Sequence, residues 1–178
     1  MMQKDTSPQA HNNNTSQSSS APHGVPTIVQ SGDGQAVNAF GNEILFKLMA
    51  DHTGGTLTVG LATVPPDGGP PPHVHYADDE LFLILEGQYR FLINGQWTDV
   101  GPGGVVYLPR GVTHAFQNVG AAPARHWVLL TPSGFERFYA RCAAEFSNGG
   151  PPDLARLGAI SAEHGYAFTA PARPDARG

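Results

Sequence analysis

Lysine is nearly absent from this chain. The 178 residues include two, and arginine brings the basic total only to 10, against 15 acidic residues and a formal net charge of −5. No basic run stands out. A nucleic-acid partner needs a positive footprint to neutralise phosphates, so none is expected. Attraction to an anionic membrane surface is disfavoured for the same reason. Cysteine is limited to Cys142, which excludes an intrachain disulfide and reads as a small buried apolar residue on a helix. No run of about 18 apolar residues occurs, so no membrane-spanning helix is expected. The start of the chain lacks the apolar core that secretory signals carry, which makes a cytoplasmic location the expectation.

Glycine (22) and proline (16) are abundant, and hydrophobic residues make up 40%. That combination favours many short strands joined by tight turns over a helical bundle. Residues 1–24 are polar and low in complexity (HNNNTSQSSS) and are expected to form a disordered tail, with neither His11 nor His23 binding metal. From Thr27 onward, short apolar runs alternate with turn signals: TIVQ, AVNAF, EILFKLMA, TLTVGLATV, DELFLILEG, YRFLINGQW, GVVYLPRG, THAFQN and RHWVLLTP. Asn94-Gly95 marks a hairpin, because Asn-Gly readily takes the positive φ angles of a type I′ turn. The regular spacing predicts an antiparallel barrel or sandwich. After Pro132 the period lengthens. Phe135, Phe138, Tyr139, Cys142 and Phe146 share one helical face, and Ser133 with Glu136 reads as a capping box. A second helix is expected from about Asp153, followed by a YAF run and a proline-rich tail.

The stretch PPPHVHYADDELFLILEG carries the chemistry. His73 and His75 are two apart on a strand, so their imidazoles project to one side. Glu80 is in phase with Phe82 and Ile84. If that face points inward, a buried carboxylate is costly without a cation, and a metal ion between the histidines removes the cost. Asp78 and Asp79 are alternatives to Glu80. In the second stretch, GGVVYLPRGVTHAFQN, Pro109 and Gly111 frame a turn and His114 starts the next strand. In a barrel this brings a third imidazole against the first two. Three histidines and one glutamate leave positions open on the metal for water, dioxygen or a chelating substrate.

Both stretches resemble the cupin superfamily motifs. The first, G-x5-H-x-H-x(3,4)-E-x6-G, fits from His73 through His75 and Glu80 to Gly87, with Gly68 one residue too close. The second, G-x5-P-x-G-x2-H-x3-N, fits at Gly103, Pro109, Gly111, His114 and Asn118. The resemblance implies an all-β fold, a cupin barrel (double-stranded β-helix, or jelly roll) over residues 25–132. The remainder, 133–178, is then a C-terminal helical extension and tail. It also implies one divalent transition metal held by His73, His75, Glu80 and His114, with iron, manganese or nickel foremost and cobalt, copper or zinc also compatible. The GPPPHVH-type entry, the PRGVTHAF segment and SGFERFYAR further resemble single-domain bacterial cupins of the quercetin-dioxygenase-like group.

That resemblance implies a dioxygenase acting on a small hydroxylated aromatic or enol-type compound, with Glu80 moving between ligand and base. The alternatives are a non-oxidative isomerase, decarboxylase or lyase, and a binding module without chemistry. The expected partners are a small-molecule substrate, dioxygen and a second copy of the chain, paired through barrel faces or an edge strand near residues 25–31. Phe46, Leu48, Phe82, Phe91, Tyr107, Phe116 and Trp127 are the expected pocket wall. His126 faces either the barrel interior or the outside, His52 reads as solvated, and His164 as a C-terminal helix-dipole partner. The helix at 134–147 is either a cover on one barrel face or a lid over its mouth.

Overall fold

The structure, a computed structural model, describes residues 24–147 and 150–169. The polar segment 1–23, with His11 and His23, and the proline-rich end from 170 lie outside the described residues. Eleven strands and three helices are described: β1 (Gln35–Ala39), β2 (Asn42–Leu48), α1 (Ala50–Thr53), β3 (Thr58–Val64), β4 (His73–His75), β5 (Asp79–Glu86), β6 (Tyr89–Ile93), β7 (Gln96–Val100), β8 (Val105–Leu108), β9 (His114–Asn118), β10 (Ala124–Thr131), α2 (Phe135–Phe146), α3 (Leu154–Glu163) and β11 (Tyr166–Phe168). They form two sheets, ordered β1-β2-β3-β10-β5-β8 and β11-β4-β9-β6-β7, with antiparallel pairing throughout. The expected Asn-Gly hairpin is present between β6 and β7: Asn94 and Gly95 have φ of 50° and 82°, and Ile93 faces Gln96.

Alternation sets the core. In β10, Ala124, His126, Val128 and Leu130 are buried while the residues between them are half-buried. Register places Leu130 beside Glu80, Val128 beside Phe82, and His126 between Ile84 and Ala62. One row of inward side chains therefore runs down the six-stranded sheet, with the Glu80 carboxylate near one end.

Four expectations are corrected. The TIVQ run forms no strand. Residues 24–30 are irregular backbone, fastened by the Val25 N–H donating to the His52 carbonyl and by the Lys47 ammonium donating to the carbonyls of Gln30, Ser31 and Asp33. The expected edge strand at 25–31 is therefore not a strand of this chain's own sheets. The C-terminal extension is not only helical, because the YAF run is β11, which pairs with β4 through Tyr166–His75 and Phe168–His73. The capping box fails: Gly134 is the N-cap, and the buried Ser133 hydroxyl has no partner among the described residues. Glu136 instead accepts from the backbone N–H groups of Gly134 and Ala50 and from the Thr58 hydroxyl, tying α2 to α1 and β3. His52 is half-buried rather than solvated, its Nδ1 accepting from the Met49 N–H.

Candidate metal centre

His73 and His114 are directly paired across β4 and β9, and His75 is one inward position further along β4. Glu80 reaches the same point from the facing sheet. The ring centroids of His73 and His114 are 4.3 Å apart, with His75 at 5.0 and 5.2 Å from them. One donor atom from each of the four residues falls within 4.8 Å of every other. His75, Glu80 and His114 are buried, and His73 is half-buried at the rim.

The outward ring nitrogens show that this cluster suits a metal. Nδ1 of His73 lies 2.9 Å from the Pro71 carbonyl, Nδ1 of His114 lies 2.9 Å from the Val112 carbonyl, and Nδ1 of His75 lies 2.8 Å from the Asp78 carboxylate. These partners only accept, so each Nδ1 carries a hydrogen and donates it. Nε2 is then the nitrogen available as a ligand on all three rings, an arrangement typical of histidines that bind metals. The donor set, three imidazole nitrogens and one carboxylate, fits a first-row divalent ion.

Electrostatics agree. Burial, followed by the charges of His114 and His75, pushes His73 down to about 3, so its ring is neutral. Burial opposes ionisation of Glu80, but the adjacent imidazoles outweigh it and hold the carboxyl at about 2. At His75 burial also works against charge, yet Glu80 and Asp78 prevail and raise its pKa.

Both aspartates beside Glu80 are excluded as ligands by position. Asp79 turns outward and is clasped by the Arg110 backbone N–H and guanidinium, which hold its carboxyl at about 2. Asp78 supports the site from behind, accepting from His75 Nδ1 and from the Tyr166 hydroxyl. The sequence offered a hint for Asp78, three residues after His75. It offered none for Tyr166, which lies 88 residues away from Asp78.

The Asn118 position of the second motif is structural. Its Nδ2 donates to the Val64 and Ala122 carbonyls and its Oδ1 accepts from the Gly120 N–H. The displaced Gly68 keeps a turn role, with its carbonyl accepting from the Asn118 N–H. At Gly69, φ is 147° and the Phe116 carbonyl oxygen occupies the space a Cβ would take, which leaves no room for a side chain.

The cluster opens into a cavity of about 60 Å³ lined mainly by aromatic and aliphatic side chains. That is room for a few water molecules. Phe82 and Phe116 line it as expected, whereas five of the expected wall residues do not. Phe46 is buried against Phe135 and Tyr139 of α2. Phe91 is packed behind Phe82 and Phe116. Leu48 points to the outer face, because a β-bulge between Phe46 and Leu48 shifts the alternation by one residue. Trp127 is outward because His126 is inward, and Tyr107 lies on the outer face, 60% exposed. The remaining wall comes from elements the motifs do not mark. Phe135, Phe138 and Tyr139 of α2, Phe168 of β11, and Phe40 close over the metal cluster. The helix α2 is therefore the roof of the cavity. His164 ends α3 beside Arg141, and burial with that charge lowers its pKa, so it is no charged dipole partner. Cys142 is buried as expected, its thiol pushed up to about 12 by burial.

Residues 60–130 match the cupin-domain family model, and the barrel superposes on several solved structures. The barrel is a cupin fold. KdgF from Halomonas sp. is 12% identical, with a TM-score of 0.57 over 64% of this chain and 99% of that one. A predicted oxalate decarboxylase from Thermotoga maritima is 20% identical, with a TM-score of 0.55 over 60% and 99%. The polyketide cyclase RemF from Streptomyces resistomycificus is 22% identical, with a TM-score of 0.54 over 61% and 81%. Among curated proteins, an uncharacterised protein of Methanocaldococcus jannaschii is 30% identical over 30% of this chain and 42% of its own length. Another, from Streptomyces coelicolor, is 32% identical over 32% and 53%. The chain thus spans about half the length of the curated relatives it matches. Among the described residues, no helix is long and apolar enough to cross a membrane.

Proposed function

We propose that this cupin is a metal-dependent dioxygenase acting on a small hydroxylated aromatic or enol-type compound. The observation that carries the reading is the placement of four convergent donor atoms at one end of a roofed cavity walled by aromatic rings. Iron(II), manganese(II) or nickel(II) held by His73, His75, Glu80 and His114 would supply a Lewis-acid centre with open positions for a phenolate or enolate oxygen and for dioxygen. The protein's own contributions follow from its residues. The aromatic wall orients a flat substrate and excludes water, which strengthens electrostatic interactions at the reacting oxygen. Glu80, ionised and buried, is the carboxylate placed to accept the substrate's hydroxyl proton. A ring-sized substrate enters only when side chains of the roof move aside.

The fold is shared with proteins described as a predicted oxalate decarboxylase and a polyketide cyclase, which keeps a non-oxidative reaction as the second reading. Both readings are tested by loading metal-free protein with each ion and following oxygen uptake against substrate loss, with catechols and flavonols as substrates. Consumption of substrate coupled to oxygen supports the dioxygenase. Full-rate turnover under strict anaerobiosis replaces it with the non-oxidative enzyme.

A further inference from the structure

His126 stands apart from the metal cluster and has no role in it. It lines the same cavity, 2% exposed, from the inner face of β10. On β5 its neighbour is Ile84, four residues beyond Glu80, which separates the two levels by about 13 Å along the strand. The rings of Phe82, Tyr89 and Phe116 hold it at centroid distances of 5.1, 5.1 and 5.3 Å, so it has no freedom to swing toward another partner.

Its state is set by Tyr89. That phenol is fully buried, and His126 Nδ1, at 2.8 Å, is its hydroxyl's hydrogen-bond partner among the described residues. A buried hydroxyl needs an acceptor for its hydrogen, so Tyr89 donates to Nδ1 and the imidazole hydrogen sits on Nε2. Burial keeps the ring neutral, with a pKa lowered to about 4. Nε2 has no protein acceptor among the described residues. The result is a fixed, uncharged N–H donor in an apolar cavity. Such a donor left unmatched penalises any occupant that lacks an acceptor.

We propose that His126, oriented by Tyr89, is a specificity residue whose Nε2–H donates to a neutral acceptor oxygen at the end of the substrate remote from the metal ligands. The substrate class is then a flat compound with metal-binding oxygens at one end and a carbonyl or similar uncharged acceptor at the other. A carboxylate in that place is disfavoured by its desolvation. This rests on the substrate reading proposed above and deepens it.

The test uses protein loaded with manganese(II) under anaerobic conditions, titrated with catechol and with 3,4-dihydroxybenzaldehyde. The wild-type protein is expected to prefer the aldehyde, and His126→Phe to reduce that preference by about fivefold or more, as loss of one hydrogen bond to a buried donor implies. Tyr89→Phe, which frees the tautomer, is expected to reduce it partly, and His126→Gln, which retains an amide donor, to preserve part. Metal content is expected to be equal in all four proteins, which separates the effect from damage to the site. An unchanged preference in His126→Phe and His126→Gln overturns the assignment while leaving the substrate reading intact. Failure of wild-type protein to bind either compound overturns the substrate reading and the assignment with it. Nitrogen-15 spectra of the histidines give an independent check: a hydrogen on Nδ1 of His126 rather than Nε2 also overturns it.

Discussion

At the scale of single residues, the metal cluster depends on which nitrogen each imidazole turns inward. The Pro71 and Val112 carbonyls and the Asp78 carboxylate settle this by accepting from the three Nδ1 hydrogens. His114→Ala or His75→Ala is expected to abolish stoichiometric metal binding while circular dichroism still reports the β-barrel. Full occupancy in either variant, by elemental analysis, would remove these residues from the site. Asp78→Ala keeps every ligand but leaves His75 unheld, and metal affinity is expected to fall by about 10- to 100-fold. The pH dependence follows from His75. Its folded pKa is raised above 6.5 by Glu80 and Asp78 despite burial. Its contribution to the stability of metal-free protein is therefore fully present below 6.5 and is lost as pH rises through the raised value. Metal and proton compete for the same ring, so apparent metal affinity is expected to increase with pH over that interval. An affinity independent of pH, measured by competition with a chelator, would contradict the arrangement.

At the scale of elements, the C-terminal strand β11 joins two tasks. Its backbone pairs with β4, the strand that carries His73 and His75. Its side chains reach Asp78 through Tyr166 and line the cavity through Phe168. Phe168→Ala is expected to enlarge the cavity and speed binding of ring-sized ligands, visible in stopped-flow association rates, with metal content unchanged. Rates that do not respond would show that entry lies elsewhere on the roof. The bulge in β2 is the other decisive element. It puts Lys47 out of the alternation, buried and tied by its ammonium to three carbonyls of the 30–33 segment, and turns Leu48 away from the barrel. A period-two pattern carries no signal for such an insertion, which is why Leu48 was legible only as a wall residue.

At the scale of the whole molecule, metal binding at the candidate centre is expected to be linked to folding, because its four residues come from β4, β5 and β9 in two sheets. Metal at 100 times its dissociation constant is expected to stabilise the fold by about 2.7 kcal/mol. For a chain of this size that is a rise in Tm of about 5–10 °C, reversed by a chelator. A Tm that ignores metal would mean the cluster does not bind it in the folded state.

The sequence by itself determined the strand texture, the Asn-Gly hairpin and the four residues of the candidate metal centre. These rest on local rules: turn chemistry at Asn94-Gly95, alternation that places His73 and His75 on one side, and motif spacing from Glu80 to Gly87 and from Gly103 to Asn118. Only the tertiary structure decided what surrounds the ligands. Whether His126 or Trp127 faced inward depended on the phase of β10 against β3 and β5. The link from Tyr166 to Asp78, and the aromatic roof supplied by α2 and β11, depended on contacts between segments far apart in the chain. Local spacing encodes which side a residue shares with its neighbours. It does not encode which distant segment folds back to meet that side, because that is set by packing of the whole barrel.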